Sequence, residues 1–352
     1  MAATAMVTHS PSCLKVVAAS VTGQQHLFES RGCEDAWSTD EASLSPEESV
    51  LSVCICDGAG SAKYGAEGAT LSSQLVAKYL TKHFVAILEG KTSVVHLVET
   101  VQDAIRAEAT VRDSSIRDFA CTVVAIALST AGRWFAVHLG DGGIVMQAEE
   151  QLSAVSLPMK GQFSNITYFV TDADAAECIR YVPSNPSAPK PDAFVLFSDG
   201  VENLLLNRKT GEVAQAVKRM AGWLTKFSEI EVTAGLTAEL TEFFRTQTGD
   251  DCSIAILNRV PMTSGEIAVP AVEEVNDSAS TSETTGTAVE MTTNAEAMEA
   301  ESIAKSECLP EIIRTPPVVA NRRRNKRFRL LLLSLAIAAA TLATLCWPSK
   351  LR

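Results

Sequence analysis

The chain has 352 residues, a formal net charge of −12 at pH 7 and nine cysteines. Its length allows one large domain or two, and the acidic balance argues against general nucleic-acid binding. The cysteines are scattered, with no CxxC pair and no paired spacing. They read as reduced, cytosolic thiols rather than a disulfide framework or a zinc site.

In chain order, residues 1–12 read as a loose tail, small and polar, without the basic start and apolar block of a signal peptide. Leu14–Val21 is a predicted strand, and Gln24–Ser30 leads to the acidic pair Glu34-Asp35. His26, just before that pair, reads as a structural or exposed histidine. The stretch LSVCICDGAGSAKYGAEGA, from Leu51 to Ala69, organises the rest. With Val50 in front, it opens as a short apolar, β-prone run in which Cys54 and Cys56 share one face, the pattern of core packing. The run ends in Asp57-Gly58-Ala59-Gly60, where glycines permit backbone angles other residues resist. Helices are predicted over about Tyr64–Leu88 and Ser93–Arg112, the second with Val95, Leu97, Val98, Val101 and Ile105 at helical spacing. Phe119–Ser129 and Arg133–Leu139 read as adjacent strands joined by the turn Thr130-Ala131-Gly132. Gly143–Gln147, Ala154–Leu157 and Asn165–Thr171 continue the β pattern, and Ser184–Pro191 is a surface loop. Glu212–Phe227 and Val232–Thr246 read as helices, and Cys252–Arg259 as a closing strand. Strands clustered at both ends with helical pairs between them predict an α+β layered fold.

The chemistry sits at strand ends. A carboxylate beside a turn that exposes backbone carbonyls suits a hard cation such as Mg²⁺ or Mn²⁺, although Asp-Gly is also an ordinary turn. The pattern recurs. Ala136–Leu139 leads into Gly140-Asp141-Gly142, Phe194–Phe197 into Ser198-Asp199-Gly200, and the doublet Asp250-Asp251 precedes the last strand. Carboxylates gathered in one cleft repel one another and call for a cation between them.

The ordered set Glu34-Asp35, Asp57-Gly58-Ala59-Gly60, Asp118-Phe119-Ala120-Cys121-Thr122, Gly140-Asp141-Gly142, Ser198-Asp199-Gly200 and Asp250-Asp251 resembles the metal-dependent type-2C (PPM) serine/threonine protein phosphatases. The variant His26…Cys33-Glu34-Asp35-Ala36 with Asp57-Gly58-Ala59-Gly60-Ser61 is similar to a bacterial branch of that family. The resemblance covers roughly residues 14–259. It implies a central antiparallel β-sandwich flanked by helical pairs, with two Mn²⁺ or Mg²⁺ ions at one edge and a third, weaker ion beside Asp141. It also implies phosphorylated proteins, the products of a Ser/Thr kinase, as substrates. By the same resemblance Asp57 bridges two metals, Asp199 and Asp251 complete one site, and the Gly58 carbonyl with Glu34 or Asp35 completes the other. Asp57 and Asp199 are the catalytic carboxylates, acting through a water activated between the cations.

Two departures from the family pattern stand out. Many members have a histidine where this chain has Ala59, proposed to protonate the leaving alkoxide, and alanine cannot donate a proton. Arg31, the candidate phosphate-binding arginine, sits one residue closer to the acidic pair than usual. Two readings therefore stand, an active phosphatase and a catalytically weak phosphoprotein-binding module.

Beyond the domain at 13–260, residues 261–320 are dominated by Ser, Thr, Ala and Glu and read as an acidic disordered linker. It would span roughly 45 Å as a random coil. A basic segment, 321–329, carries Arg322, Arg323, Arg324, Lys326, Arg327 and Arg329. Residues 330–347 are apolar and uncharged, a predicted transmembrane helix of roughly one hydrocarbon thickness, about 27 Å, followed by a short tail at 348–352. The basic flank predicts a single-pass protein of a bacterial inner membrane with its phosphatase domain cytoplasmic.

Overall fold

A computed structural model describes residues 12–159 and 167–262. The first strand, β1 (Ser12–Val21), leads through a short helix, α1 (Gln24–Phe28), into the hairpin β2 (Asp35–Ser45) and β3 (Glu48–Asp57). Three helices follow: α2 (Gly65–Lys82), α3 (Phe84–Leu88) and α4 (Val95–Val111). A 3₁₀ turn at Ile116–Phe119 then leads to β4 (Val123–Ser129), β5 (Trp134–Leu139), β6 (Gly143–Ala148) and β7 (Gln151–Ser156). The remainder is α5 (Ala175–Cys178), β8 (Arg180–Pro183), β9 (Ala193–Phe197), α6 (Asp199–Leu205), α7 (Gln215–Ala221), α8 (Glu229–Glu239) with a π-helical extension (Leu240–Phe244), and β10 (Cys252–Pro261).

Among the described residues ten strands form two five-stranded antiparallel sheets, ordered β1-β10-β9-β6-β7 and β2-β3-β4-β5-β8. Side-chain alternation along each strand separates the layers. Leu51, Val53 and Ile55 of β3, with Val124, Ile126 and Leu128 of β4, face Phe194, Leu196, Ala255 and Leu257 of the other sheet. Trp134 meets Phe194 edge-on, ring centroids 5.2 Å apart. The alternate residues of β3 and β4, including Cys54, Cys56, Val123 and Ala125, pack under α2, α3 and α4. Cys54 and Cys56 do share a face, with sulfurs 3.6 Å apart. On the opposite side Val195, Phe197, Ile254 and Ile256 meet α6, α7 and α8 through Val201, Val217, Met220 and Leu236. The result is the expected sandwich between two helical layers.

Several local expectations are corrected. The single helix predicted over Tyr64–Leu88 is two, broken at His83 (φ −105°, ψ 12°). The helix predicted over Glu212–Phe227 shrinks to Gln215–Ala221, because Val213 pairs with Leu206 in a bridge and the helix ends at Gly222. The described part of Asn165–Thr171 is irregular chain rather than strand. Thr167 instead donates to Asp141 (2.9 Å), and the Val170 amide to the Cys121 carbonyl (2.9 Å). Strands β2 and β8 and helices α5 and α6 were not anticipated. Among the described residues no helix is long and apolar enough to cross a membrane. The predicted linker, basic segment and transmembrane helix lie outside the described residues.

Candidate active site

Strand register brings the acidic motifs to one end of the sandwich. In one sheet Asp35, at the start of β2, sits directly opposite Asp57, at the end of β3. The next pairings, Ile55↔Val124 and Val123↔Leu139, put Thr122 and the β5–β6 turn at the same edge. In the other sheet Phe197 pairs with both Gly143 and Ile254, so the end of β9 and the starts of β6 and β10 coincide. Asp141, Asp199 and Asp250 occupy those three ends. The β5–β6 turn crosses from one sheet to the other, with Gly140 (φ 104°) and Gly142 (φ 95°) taking left-handed angles on either side of Asp141.

These ends enclose an open cleft of about 540 Å³, lined by Asp57, Gly58, Ala59, Gly60, Thr122, Asp141, Asp199 and Asp250, with His26 and Arg31 from the β1–β2 connection. Gly58 is required by crowding, since a Cβ there would lie 2.5 Å from the Gly65 carbonyl at the start of α2. Its amide donates to the Glu34 carbonyl (3.1 Å) and the Ala59 amide to the Ala120 carbonyl (2.9 Å). The Asp57 amide donates to Thr122 Oγ1 (3.1 Å), which fixes the strand end that presents its carboxylate.

Electrostatics mark the cleft as strained. Burial, then the charges of Asp35, Asp199, Asp250 and Asp141, push the Asp57 carboxyl well above the usual carboxylate range. Burial, followed by Asp141 and Asp250, raises Asp199 to about 7. Burial also raises Asp35 to about 7, against the opposing effect of the Ser253 and Ser198 hydroxyls. Ser198 Oγ donates to Asp35 Oδ2 (2.8 Å), while Asp35 Oδ1, Asp199 Oδ1 and Glu34 Oε2 are buried without a hydrogen-bond donor among the described residues. Like charges facing each other across a strand pair are unfavourable, and unpaired buried oxygens are costly. An all-oxygen donor set with such vacant lone pairs fits a hard divalent cation. Among the described residues no three His, Cys, Asp or Glu side chains close into a ready-made cage.

The expected role of Asp251 is corrected. Asp251 is 2% exposed and, like Glu34 and Asp35, lies behind the residues that line the cleft. Its Oδ1 accepts from the Gly23 amide (2.6 Å) and its Oδ2 from the Glu34 amide (2.5 Å). His26 Nδ1 lies 3.1 Å from Asp251 Oδ1, at an angle short of a good hydrogen bond. Asp251 thus ties together both ends of the β1–β2 connection, and the neighbouring Asp250 is the cleft carboxylate. Asp118 is also accounted for outside the cleft. It caps the 3₁₀ turn, accepting from the Ser115 amide (2.9 Å) and the Ser114 hydroxyl. Arg31 does reach the cleft. Its Nη2 donates to Glu34 Oε1 (2.5 Å) and to the Gly60 carbonyl (3.0 Å). His26, expected to be structural or exposed, is buried at the cleft wall.

Residues 22–245 match the protein phosphatase 2C family. The chain belongs to that family. It is a protein phosphatase of the 2C type, similar to serine/threonine-protein phosphatase 3 of Escherichia coli (strain K12), with 33% identity over 195 residues, 55% of this chain and 76% of that protein. Among solved structures it is similar to PppA of Pseudomonas aeruginosa, described as a key regulatory component of that organism's T6SS (17% identity, TM-score 0.45, covering 71% of this chain and 100% of PppA). It is also similar to the serine/threonine phosphatase Stp1 of Staphylococcus aureus (13% identity, TM-score 0.45, covering 71% of this chain and 97% of that one). The phosphatase's carboxylate cleft lies mostly within the matched region, and Asp250 falls just past its end.

Proposed function

We propose that this phosphatase hydrolyses phosphoserine and phosphothreonine on proteins phosphorylated by a Ser/Thr kinase, using two Mn²⁺ or Mg²⁺ ions and a third, weaker one. The observation that carries the reading is the meeting of Asp57, Asp199, Asp141 and Asp250 in one open cleft. Asp57 and Asp199, with Asp250 and Asp141, would hold the ions, together with the Gly58 carbonyl and the acidic pair Glu34 and Asp35. When bound, the cations supply the charge that neutralises a phosphate and the acidity that activates water.

The chain's own residues do the rest. Asp35, fixed by Ser198, stands opposite Asp57 on the facing strand and adds a second carboxylate at that end. Arg31 is anchored on Glu29, Glu34 and Gly60 at the cleft wall, where its guanidinium places a positive charge that attracts a phosphate. The cleft is open and polar, which suits a phosphorylated side chain on an exposed segment of protein. In this reading residues 330–347 anchor the chain in a bacterial inner membrane, and the acidic linker lets a cytoplasmic domain sweep the nearby surface.

A second reading, a phosphoprotein-binding relative with little turnover, draws support from Ala59 in the cleft wall. One assay separates them. Full-length protein is incubated with a phosphothreonine peptide and Mn²⁺, beside Asp57→Asn, and released phosphate is measured. Turnover by wild type that is lost in the variant supports the phosphatase reading. Tight peptide binding with no phosphate release supports the second. Membrane fractionation of the tagged chain, expected in the membrane pellet, tests the anchor.

A further inference from the structure

Resting on the phosphatase reading, we propose that His26 is the general acid that protonates the departing serine or threonine oxygen, with Asp251 holding its ring. An alkoxide is a poor leaving group, so cleavage of a phosphoserine ester calls for a proton donor at the leaving oxygen. The turn after Asp57 offers Ala59 and glycines there, none of which can donate. Of the residues lining the cleft, His26 is the one imidazole.

Three features of its surroundings favour the role. His26 is 8% exposed, so its ring is held rather than free in solvent. Its Nδ1 faces Asp251 Oδ1 at 3.1 Å, and the Asp251 carboxylate is itself fixed by the Gly23 and Glu34 amides. Its backbone is fixed as well. The Arg31 amide donates to the His26 carbonyl (2.8 Å) and the neighbouring Gln25 amide to the Gly249 carbonyl (2.9 Å). The ring lines the cleft that holds Asp57 and Arg31, and its buried Nδ1 makes no full hydrogen bond, only the 3.1 Å approach to Asp251. A histidine held beside a buried carboxylate and lining a reaction cleft is placed as an imidazole that transfers protons is placed. Catalytic contacts are often long or poorly aligned before substrate binds.

The step balances as follows. Water oxygen forms the new P–O bond as the ester P–O bond breaks, and the electron pair of that bond leaves with the seryl oxygen. His26 gives its Nε2 proton to that oxygen, with Nδ1 facing Asp251, and the proton released by the attacking water returns to Nε2. One water is consumed, and one alcohol and one inorganic phosphate form.

The test compares leaving groups. Full-length wild type and His26→Gln are assayed with Mn²⁺ on a phosphoserine peptide and on 4-nitrophenyl phosphate, whose phenolate departs without much protonation. The expected result is a fall of roughly 10²–10⁴-fold on phosphoserine and a far smaller one on the aryl ester. His26→Ala with added imidazole should recover part of the phosphoserine rate, and thermal melting of both variants controls for folding. A fall that is equal for both substrates in a folded variant and is not rescued by imidazole, or no fall at all, overturns the proposal while leaving the phosphatase reading intact. Failure of the wild type to hydrolyse either ester overturns the reading beneath it.

Discussion

The same ten strands that bury Phe194, Leu196 and Ile126 between the sheets also end in Asp35, Asp57, Asp199 and Asp250, and the two regions obey opposite rules. The interior is apolar and closely matched across the sheets, and each side chain there stabilises the fold by leaving water. The cleft gathers like charges, buries carboxyl oxygens without donors and raises Asp57, Asp35 and Asp199 out of their ordinary range. Such a cluster costs folding free energy and persists because a rigid sandwich over-determines it. The interior therefore carries stability and the cleft carries chemistry, and substitutions should separate the two.

The largest contrast is expected at Asp57. Asp57→Asn should reduce phosphatase turnover to background, since it removes the central carboxylate of the cleft. The same variant should melt at a higher temperature than wild type in EDTA, because the folded cleft disfavours the ionised Asp57 carboxylate that the unfolded chain carries freely. Calorimetric melting beside the activity assay checks both. A lower melting temperature in EDTA would contradict the picture of a strained cleft.

Phe194→Ala probes the other region. Phe194 is fully buried against Trp134 between the sheets, so its truncation should cost about 3–5 kcal/mol. Urea unfolding measures the loss. The folded fraction should keep its Mn²⁺-dependent rate per folded molecule, because nothing in the cleft touches this side chain.

A smaller effect is expected from a buried carboxylate with no part in the cleft. Burial, then the charge of Glu242, raises Glu239 of α8 from 4.5 to about 7. The folded state therefore binds that proton more tightly than the unfolded chain. Stability should fall as pH rises from about 4.5 through 7. Glu239→Gln should accordingly stabilise the fold at pH 8, by about 1 kcal/mol after allowing for screening by nearby solvent, and change little at pH 4. Denaturant midpoints at the two pH values give the answer.

How much of this was legible in the sequence divides along physical lines. The sandwich and its helical layers followed from apolar runs and helical spacing, as in β3, β4 and α4, where burial on one face writes a period into the chain. Strand β2 was missed because its outer face is polar. Thr39, Glu41, Ser43 and Ser45 lie along the exposed face and the half-buried Asp40 breaks the inner one, and its burial comes from pairing with β3 rather than from composition. The cleft carboxylates Asp57, Asp141 and Asp199 were legible as acidic residues closing apolar runs. The choice between Asp250 and Asp251 was not. Neighbouring residues at a strand start project to opposite sides, and nothing in a doublet of identical residues says which side is the cleft. His26 was visible only as a histidine upstream of the acidic pair, and its contact with Asp251 spans the whole domain.

That doublet supplies the finest discrimination. Asp250→Asn should weaken Mn²⁺ binding directly. Asp251→Asn should act instead through the Gly23 and Glu34 amides and His26, lowering stability and turnover with a smaller change in Mn²⁺ affinity. Isothermal titration with Mn²⁺ of the two purified variants distinguishes them.

The central claim, that the carboxylate end of the sandwich works by holding divalent cations, is tested most directly by metal removal and return. Full-length protein is stripped with EDTA, desalted, and assayed on a phosphothreonine peptide during stepwise addition of Mn²⁺. The account predicts no phosphate release without metal and a saturable recovery that follows Mn²⁺ binding. Phosphate release at the full rate from the stripped protein, unchanged by Mn²⁺, would contradict it.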